Sequence, residues 1–280
     1  YIQQLYEQAK SAPAYVDPAP TYITRASFDC ALQATGAAIA LVDEILDRRA
    51  RTGFALIRPP GHHALPNTAM GFCLFANIAI AARHAQKRGI GRIMIVDFDV
   101  HHGNGTQKIF YAEENVYFVS LHQAGIYPGS GQASETGVER GHGCTMNIPL
   151  PAYAGGLAVQ QIINELLFPV ACRFKPDLIL ASAGFDAHWR EPLASLQYTG
   201  HDFHALATTL HHLAYEFCSG KLAFFLEGGY DLAALADGAV NVFRALLGEQ
   251  YKDRLGSPPQ SQPQPDITQL VADLRLAHEL

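Results

Sequence analysis

The chain has 280 residues, 49% of them hydrophobic, with a formal net charge of −6 and five cysteines. That is enough apolar material for one well-buried α/β domain. The lack of a basic excess argues against direct nucleic-acid binding, and no apolar run reaches the roughly 18 residues needed to span a membrane.

Strand-like runs alternate with helical patterns, which predicts a mainly parallel sheet built from βαβ units. Residues 27–50 read as a helix with Leu32, Ile39, Val42, Ile45 and Leu46 as its apolar stripe. Residues 54–57 follow as a short strand, and 71–88 as a helix stopped by Gly89. Next come a strand over 92–99, a short helix over 105–112 and a strand over 116–121. Residues 123–147 are Gly-rich and read as one long functional loop. Helix 155–172 carries Ile162, Ile163, Leu166, Leu167 and Val170 on one face. Strand 177–183, helix 200–218, strand 222–227 and helix 232–247 complete a domain over residues 1–255. Residues 256–265 are Ser/Pro/Gln-rich and predict an extended linker. Asp266 and Gln269 then open a capping-box-like helix over 266–280, whose Ile267, Leu270, Val271 and Leu274 face either the body or a partner subunit. No internal repeat and no signal peptide is visible. Cys30, Cys73, Cys144, Cys172 and Cys218 form no Cys-x-x-Cys pair, so reduced, mostly buried thiols are expected.

The chemistry gathers where strands end. In Val96-Asp97-Phe98-Asp99-Val100-His101-His102 the alternation of strand side chains puts Asp97, Asp99 and His101 on one side. Two buried carboxylates and an imidazole require neutralisation, for which a divalent cation is the economical candidate; the other reading is an Asp/His-rich turn that caps the next helix. Tandem His62 and His63 follow strand 54–57 and are natural acid/base groups, because imidazole alone among side chains titrates near neutral pH without help. Asp186 ends a third strand, and Glu227-Gly228-Gly229-Tyr230-Asp231 ends a fourth. Carboxyl ends of strands are where α/β sheets bind ligands. His201, His204, His211 and His212 share one helix without a carboxylate partner and are expected to be structural, and His84 and His278 to lie on the surface. His102 is expected to support its loop, while His188 is open between pocket lining and structure. Gly103-x-Gly105 and Gly129-x-Gly131 lack a complete dinucleotide fingerprint, and no Gly-x-Ser-x-Gly elbow is present.

Residues 58–64, 71–73, 96–106, 120–123 with 127–129, 182–188 and 226–231 together resemble, in order, the motifs of the zinc-dependent histone deacetylase family, nearest its class II branch with bacterial and plant-organelle relatives. The resemblance covers most of residues 23–248. It implies the arginase/deacetylase fold: a single-domain, three-layer α/β/α structure with a mainly parallel open sheet. It implies Zn2+ held by Asp99, His101 and Asp186, His63 as base and acid beside His62, and Tyr230 as oxyanion donor. Asp97 is the partner of His62 and Asn104 that of His63. Class I members usually carry Asp at the latter position, so the amide leaves His63 less basic. Gly71, Phe72, Tyr127, Leu193 and Gly228 match the substrate channel, and Leu193 stands where a Glu would pair with a polyamine. Asp97, Asp99, His101, Ser120 and Leu121 match a structural K+ site. The rim near residues 18–22 matches the family poorly, and a strand and loop that usually precede this domain are expected to be missing before Tyr1.

The expected activity is hydrolysis of acetyl-lysine in proteins, or of small acetylated amines. The compartment implied is the cytoplasm for a bacterial protein and a plastid or mitochondrion for a eukaryotic one. Two other readings are a binuclear-manganese ureohydrolase, which needs more bridging aspartates than this chain offers, and a catalytically weak acyl-lysine binding protein.

Overall fold

The computed structural model describes residues 1–17, 21–258 and 262–280. In chain order its elements are α1 (Ile2–Lys10), β1 (Ala14–Tyr15), β2 (Tyr22–Ile23), α2 (Ser27–Leu46), β3 (Thr52–Ala55), α3 (Asn77–Lys87), β4 (Ile93–Asp97) and α4 (Asn104–Phe110). They continue as β5 (Val116–Gln123), β6 (Thr145–Leu150), α5 (Gly156–Ile162), α6 (Phe168–Phe174), β7 (Leu178–Ala183), α7 (Gly200–Cys218), β8 (Leu222–Leu226), α8 (Leu232–Leu246) and α9 (Thr268–Ala277). β1 and β2 form a small antiparallel pair. The other six strands make one sheet in the order β3-β8-β7-β4-β5-β6, and every pairing is parallel.

The strands are apolar on both faces because both faces are covered. Met94 and Val96 of β4 pack on one side with Val159, Leu206, Val242 and Val271, from α5, α7, α8 and α9. Ile93 and Ile95 pack on the other with Ala38, Val42, Ile78 and Ala82, from α2 and α3. This is the three-layer α/β/α architecture. The register aligns Asp97 with Ser120 of β5 and with Ser182 of β7, so three strand ends meet at one level of the sheet.

Several sequence expectations need correction. Helix 71–88 begins only at Asn77, because Gly71 and Phe72 form a turn at positive φ (+56° and +67°). The Gly-rich loop 123–147 ends in a sixth strand, β6, which carries Pro149 and sits at the sheet edge where a missing N–H is tolerated. The buried face of α2 is Phe28, Ala31, Ala34, Ala38, Val42 and Ile45, whereas Leu32 is 47% exposed. Helix 155–172 is α5 and α6 joined by a π-turn over Ile163–Leu167. Asp266 accepts the Thr268 N–H (2.8 Å), but Gln269 bonds Asp273 instead of closing a capping box. α9 packs on the body through Ile267, Val271 and Leu274. His278 is buried, not exposed, with its Nδ1 3.0 Å from the Tyr117 hydroxyl. All five cysteines are free, yet only Cys73 and Cys218 are buried. Residues 18–20 of the expected rim and 259–261 of the expected linker lie outside the described residues.

Candidate active site

The metal-ligating candidates converge. Asp99 follows β4, Asp186 follows β7, and the ligand atoms of Asp99, His101 and Asp186 all lie within 4.8 Å of one another. His101 Nδ1 stands 3.2 Å from Asp99 Oδ1 and 3.2 Å from Asp186 Oδ2. Each carboxylate is oriented by backbone: Asp99 accepts from His101 N–H (2.9 Å) and Gly228 N–H (2.7 Å), and Asp186 from Val100 N–H (2.9 Å). Burial and then the Asp99 charge push the Asp186 carboxyl up to about 7, while Asp186 and Asp99 together outweigh burial and raise His101 to about 10. Two acids and an imidazole buried together with excess negative charge form a donor set that suits one divalent cation. Glycines allow the approach. A Cβ on Gly184 would lie 2.1 Å from Asp99 Oδ2, and one on Gly228 2.2 Å from Asp186 Oδ2. Gly228 therefore serves the carboxylates and does not line the channel.

The histidine pair lies beside this cluster. His62 Nδ1–H donates to Asp97 Oδ2 (3.0 Å) and His63 Nδ1–H to Asn104 Oδ1 (2.7 Å). Burial opposes a charge on His62, but Asp99 and Asp97 prevail and hold its pKa well above the usual imidazole range. Burial, reinforced by the His62 charge, holds His63 well below that range. Neutral His63 with Nδ1 occupied keeps Nε2 as the free basic nitrogen.

A cavity of about 260 Å3 opens over His63 and His101, walled by Phe72, Tyr127 and Tyr230, with Leu193 also on its lining. Phe72 and Tyr230 meet edge to face at 6.1 Å, and Leu193 is 53% exposed. Burial, then the charges of Asp99 and Asp186, raise the Tyr230 phenol and keep it protonated. Ser120 and Leu121 stand beside Asp97 on the neighbouring strand.

The remaining histidines are elsewhere. His102 bonds Ser130 and Gln107 and so supports its loop. His188 is buried against Phe203, accepts the Arg190 N–H and does not line the cavity. His84 pairs with Asp43, and His204 with the Glu249 carbonyl.

Sequence reasoning missed residues whose partners are backbone amides. Glu227 Oε2 accepts the N–H groups of Gly61 (2.6 Å) and His62 (3.0 Å), and its Oε1 accepts the Ser182 hydroxyl (3.1 Å). Glu191 Oε2 accepts the N–H groups of Tyr230 and Asp231. Asp17 and Thr21 do the same for Gly71 and Phe72. Only an acidic residue next to a motif hints at such a role.

Residues 1–246 match the family model described as the histone deacetylase domain. This chain belongs to the histone deacetylase family. It is 51% identical to histone deacetylase 14, chloroplastic, of Arabidopsis thaliana over 82% of its own length and 56% of the relative's. It is 41% identical to a probable deacetylase of Archaeoglobus fulgidus over 79% of its length and 62% of that protein's. The chain thus spans under two thirds of these curated relatives. Among solved structures, the HDA15 HD domain superposes with a TM-score of 0.88 at 35% identity, covering 99% of this chain and 75% of that one. That superposition includes this chain's six-stranded sheet and the helices on both its faces, which match the histone deacetylase (arginase/deacetylase) fold.

Proposed function

We propose that the chain is a zinc-dependent amidohydrolase that removes acetyl groups from lysine side chains of proteins or from small acetylated amines. The observation that carries this reading is a cavity lined by both His63 and His101, whose rings lie 6.0 Å apart, with the Asp99 and Asp186 ligand atoms within 4.8 Å of that of His101 behind it. A zinc ion held by those three residues supplies Lewis acidity toward the acyl oxygen and the hydrolytic water. His63 Nε2 takes the proton from that water and returns it to the departing amine nitrogen. His62, held charged by Asp97 and Asp99, favours negative charge at the reacting carbon's oxygen, and the Tyr230 hydroxyl donates to the same oxygen. Phe72 and Tyr127 exclude water from the alkyl chain that threads between them. The backbone oxygens of Asp97, Asp99, His101 and Leu121, with Ser120, would hold a structural potassium ion. Leu193 offers no charge to a polyamine, which favours acyl-lysine or arylalkyl acetamides. Asn104 bonds His63 and supplies no acid for a second metal, so a dimanganese ureohydrolase is disfavoured. The chloroplastic relative supports a plastid compartment.

The test measures metal content and turnover of a fluorogenic acetyl-lysine peptide. We expect zinc near one per chain, loss of turnover in His63→Ala, and a roughly hundredfold or greater fall in kcat for Tyr230→Phe with zinc retained. Wild-type turnover no higher than that of His63→Ala supports the acyl-lysine binding protein instead.

A further inference from the structure

Gly71 and Phe72 are the two central residues of a tight hairpin turn, closed by Met70 and Cys73, which exchange both backbone hydrogen bonds (3.0 and 2.9 Å). Both central residues have positive φ, as such a turn requires, but the second is a phenylalanine at +67°. A bulky residue in this region is unfavourable and persists only where its surroundings hold it. Within the turn neither central N–H has a partner. Both are taken by one pair of side chains from the N-terminal segment: Asp17 Oδ2 accepts the Gly71 N–H (2.9 Å) and Thr21 Oγ1 accepts the Phe72 N–H (2.9 Å). The pair is itself locked, because Asp17 accepts both the backbone N–H (2.9 Å) and the hydroxyl of Thr21. Thr21 is 2% exposed, so water does not replace its hydroxyl.

The turn so held is part of the cavity. A Cβ on Gly71 would lie 2.4 Å from His63 Cδ2 and 3.0 Å from the Tyr127 hydroxyl, so the turn is wedged between the base and the second aromatic wall. Asp17 reaches that wall too: burial, then the Asp17 charge, push the Tyr127 phenol up to about 12. Phe72 itself is 40% exposed and gains little fixation from packing.

We propose that Asp17 and Thr21 are positioning residues for substrate selection: they clasp the Gly71–Phe72 turn and thereby set the aperture through which the alkyl chain of the acylated amine reaches the site. This rests on the amidohydrolase reading and assigns the rim its recognition role. The clasp touches none of the metal ligands, and the turn it holds forms the channel wall and packs on the His63 ring, so its loss acts first on passage of a long chain and only secondarily on the base.

The experiment uses the full zinc-loaded chain and the variants Thr21→Val, Thr21→Ser and Asp17→Asn. It measures kcat and KM on an acetyl-lysine peptide, and inhibition by octanohydroxamate, whose chain passes Phe72, and by acetohydroxamate, which needs only the floor. Thr21→Val is expected to raise KM and weaken octanohydroxamate by about 5- to 10-fold, as for loss of one buried hydrogen bond. Acetohydroxamate inhibition stays within about twofold, kcat changes by less than KM does, and Thr21→Ser restores wild-type values. Asp17→Asn is expected to shift the same two quantities in the same direction, which serves if Thr21→Val does not fold. The clasp is wrong if both variants leave KM and octanohydroxamate unchanged, or weaken both hydroxamates equally. A wild-type chain that binds neither hydroxamate and hydrolyses nothing overturns the amidohydrolase reading, and the clasp with it.

Discussion

Asp99 and Asp186 approach each other only because the residues behind them are glycines. With Gly184 replaced by Ala, the new methyl group meets the Asp99 carboxylate at 2.1 Å, far inside contact distance, and the carboxylate is the part that moves. Gly184→Ala is therefore expected to lose bound metal while retaining the fold, which metal analysis and circular dichroism on one sample will check. Glu227 presents a different case. It is 1% exposed, and burial, opposed by the charge on His62, raises its carboxyl to about 7. Its value to the site is geometric, since its oxygen fixes the amides that lead into the histidine pair. Glu227→Ala leaves two amides and the Ser182 hydroxyl without partners, at roughly 1–3 kcal/mol for each group that stays dry. We expect at least a tenfold fall in kcat together with a lower Tm. Glu227→Gln keeps an acceptor oxygen for those amides and is expected to retain most of the turnover. Equal loss in both variants means that the charge, not the geometry, is what the site uses.

At the scale of elements, legibility followed the strength of local pattern. The helix read over 200–218 matches α7, and the strands read over 177–183 and 222–227 differ from β7 and β8 by a residue at one end. Their apolar runs are uninterrupted and their ends are marked by Pro176, Thr199 and Gly228. Strand β6 was hidden because Asn147 and Pro149 give it the composition of a turn, and only its place at the sheet edge makes that tolerable. The inner face of α2 was misread because alanines, not the larger Leu32, allow close approach to the sheet. Asp99, His101 and Asp186, whose ligand atoms the fold brings within 4.8 Å of one another, were legible as acids and an imidazole at strand ends, whereas the roles of His62, His63 and Tyr230 came from the family resemblance. The backbone-binding acids were not legible, since an amide partner leaves no residue type to look for. α9 illustrates a pattern that named a face without naming its partner. Leu274 is 1% exposed in the body's core, whereas Leu276 on the same helix is 83% exposed. Leu274→Ala is expected to cost about 2–4 kcal/mol of unfolding free energy, and Leu276→Ala no more than about 0.5 kcal/mol. Urea titration of both variants separates an α9 docked on the body from one that floats free, for which the two values coincide.

Over the whole molecule, an all-parallel sheet sorts charge by end. The acids and imidazoles gather where β4, β7 and β8 finish, while α2, α3 and α7 finish at the opposite end, where Arg48, Arg51, Arg88 and Lys221 surround a common hollow. Lys221 donates directly to the Cys218 carbonyl. Cations at helix C-termini are favoured by the exposed carbonyls and the helix dipole, so that hollow is accounted for by the fold. The site end bears the opposite burden, since several titratable groups there are held away from water. His122 is one of them, bonded to Ser120 and Gly131 and to none of Asp99, His101 and Asp186. Its Nε2–H donates to the Gly131 carbonyl (3.0 Å), so Nδ1 accepts from the Ser120 hydroxyl (2.9 Å) and the ring is neutral. Burial, then the neighbouring His102, push its pKa down to about 3. In the unfolded chain the same imidazole titrates near 6.5. Between those values the unfolded state binds the extra proton, so the stability His122 contributes is complete above about pH 6.5 and is lost as pH falls toward 3. His122→Gln keeps a donor for Gly131 but cannot titrate. The stability of wild type relative to this variant is therefore expected to fall by up to about 1.4 kcal/mol per pH unit below pH 6. Urea unfolding of both proteins at pH 7, 6 and 5 measures that difference: a constant gap across the three means the imidazole titrates normally inside the fold, and a relative stability of wild type that rises as pH falls means it is already charged there.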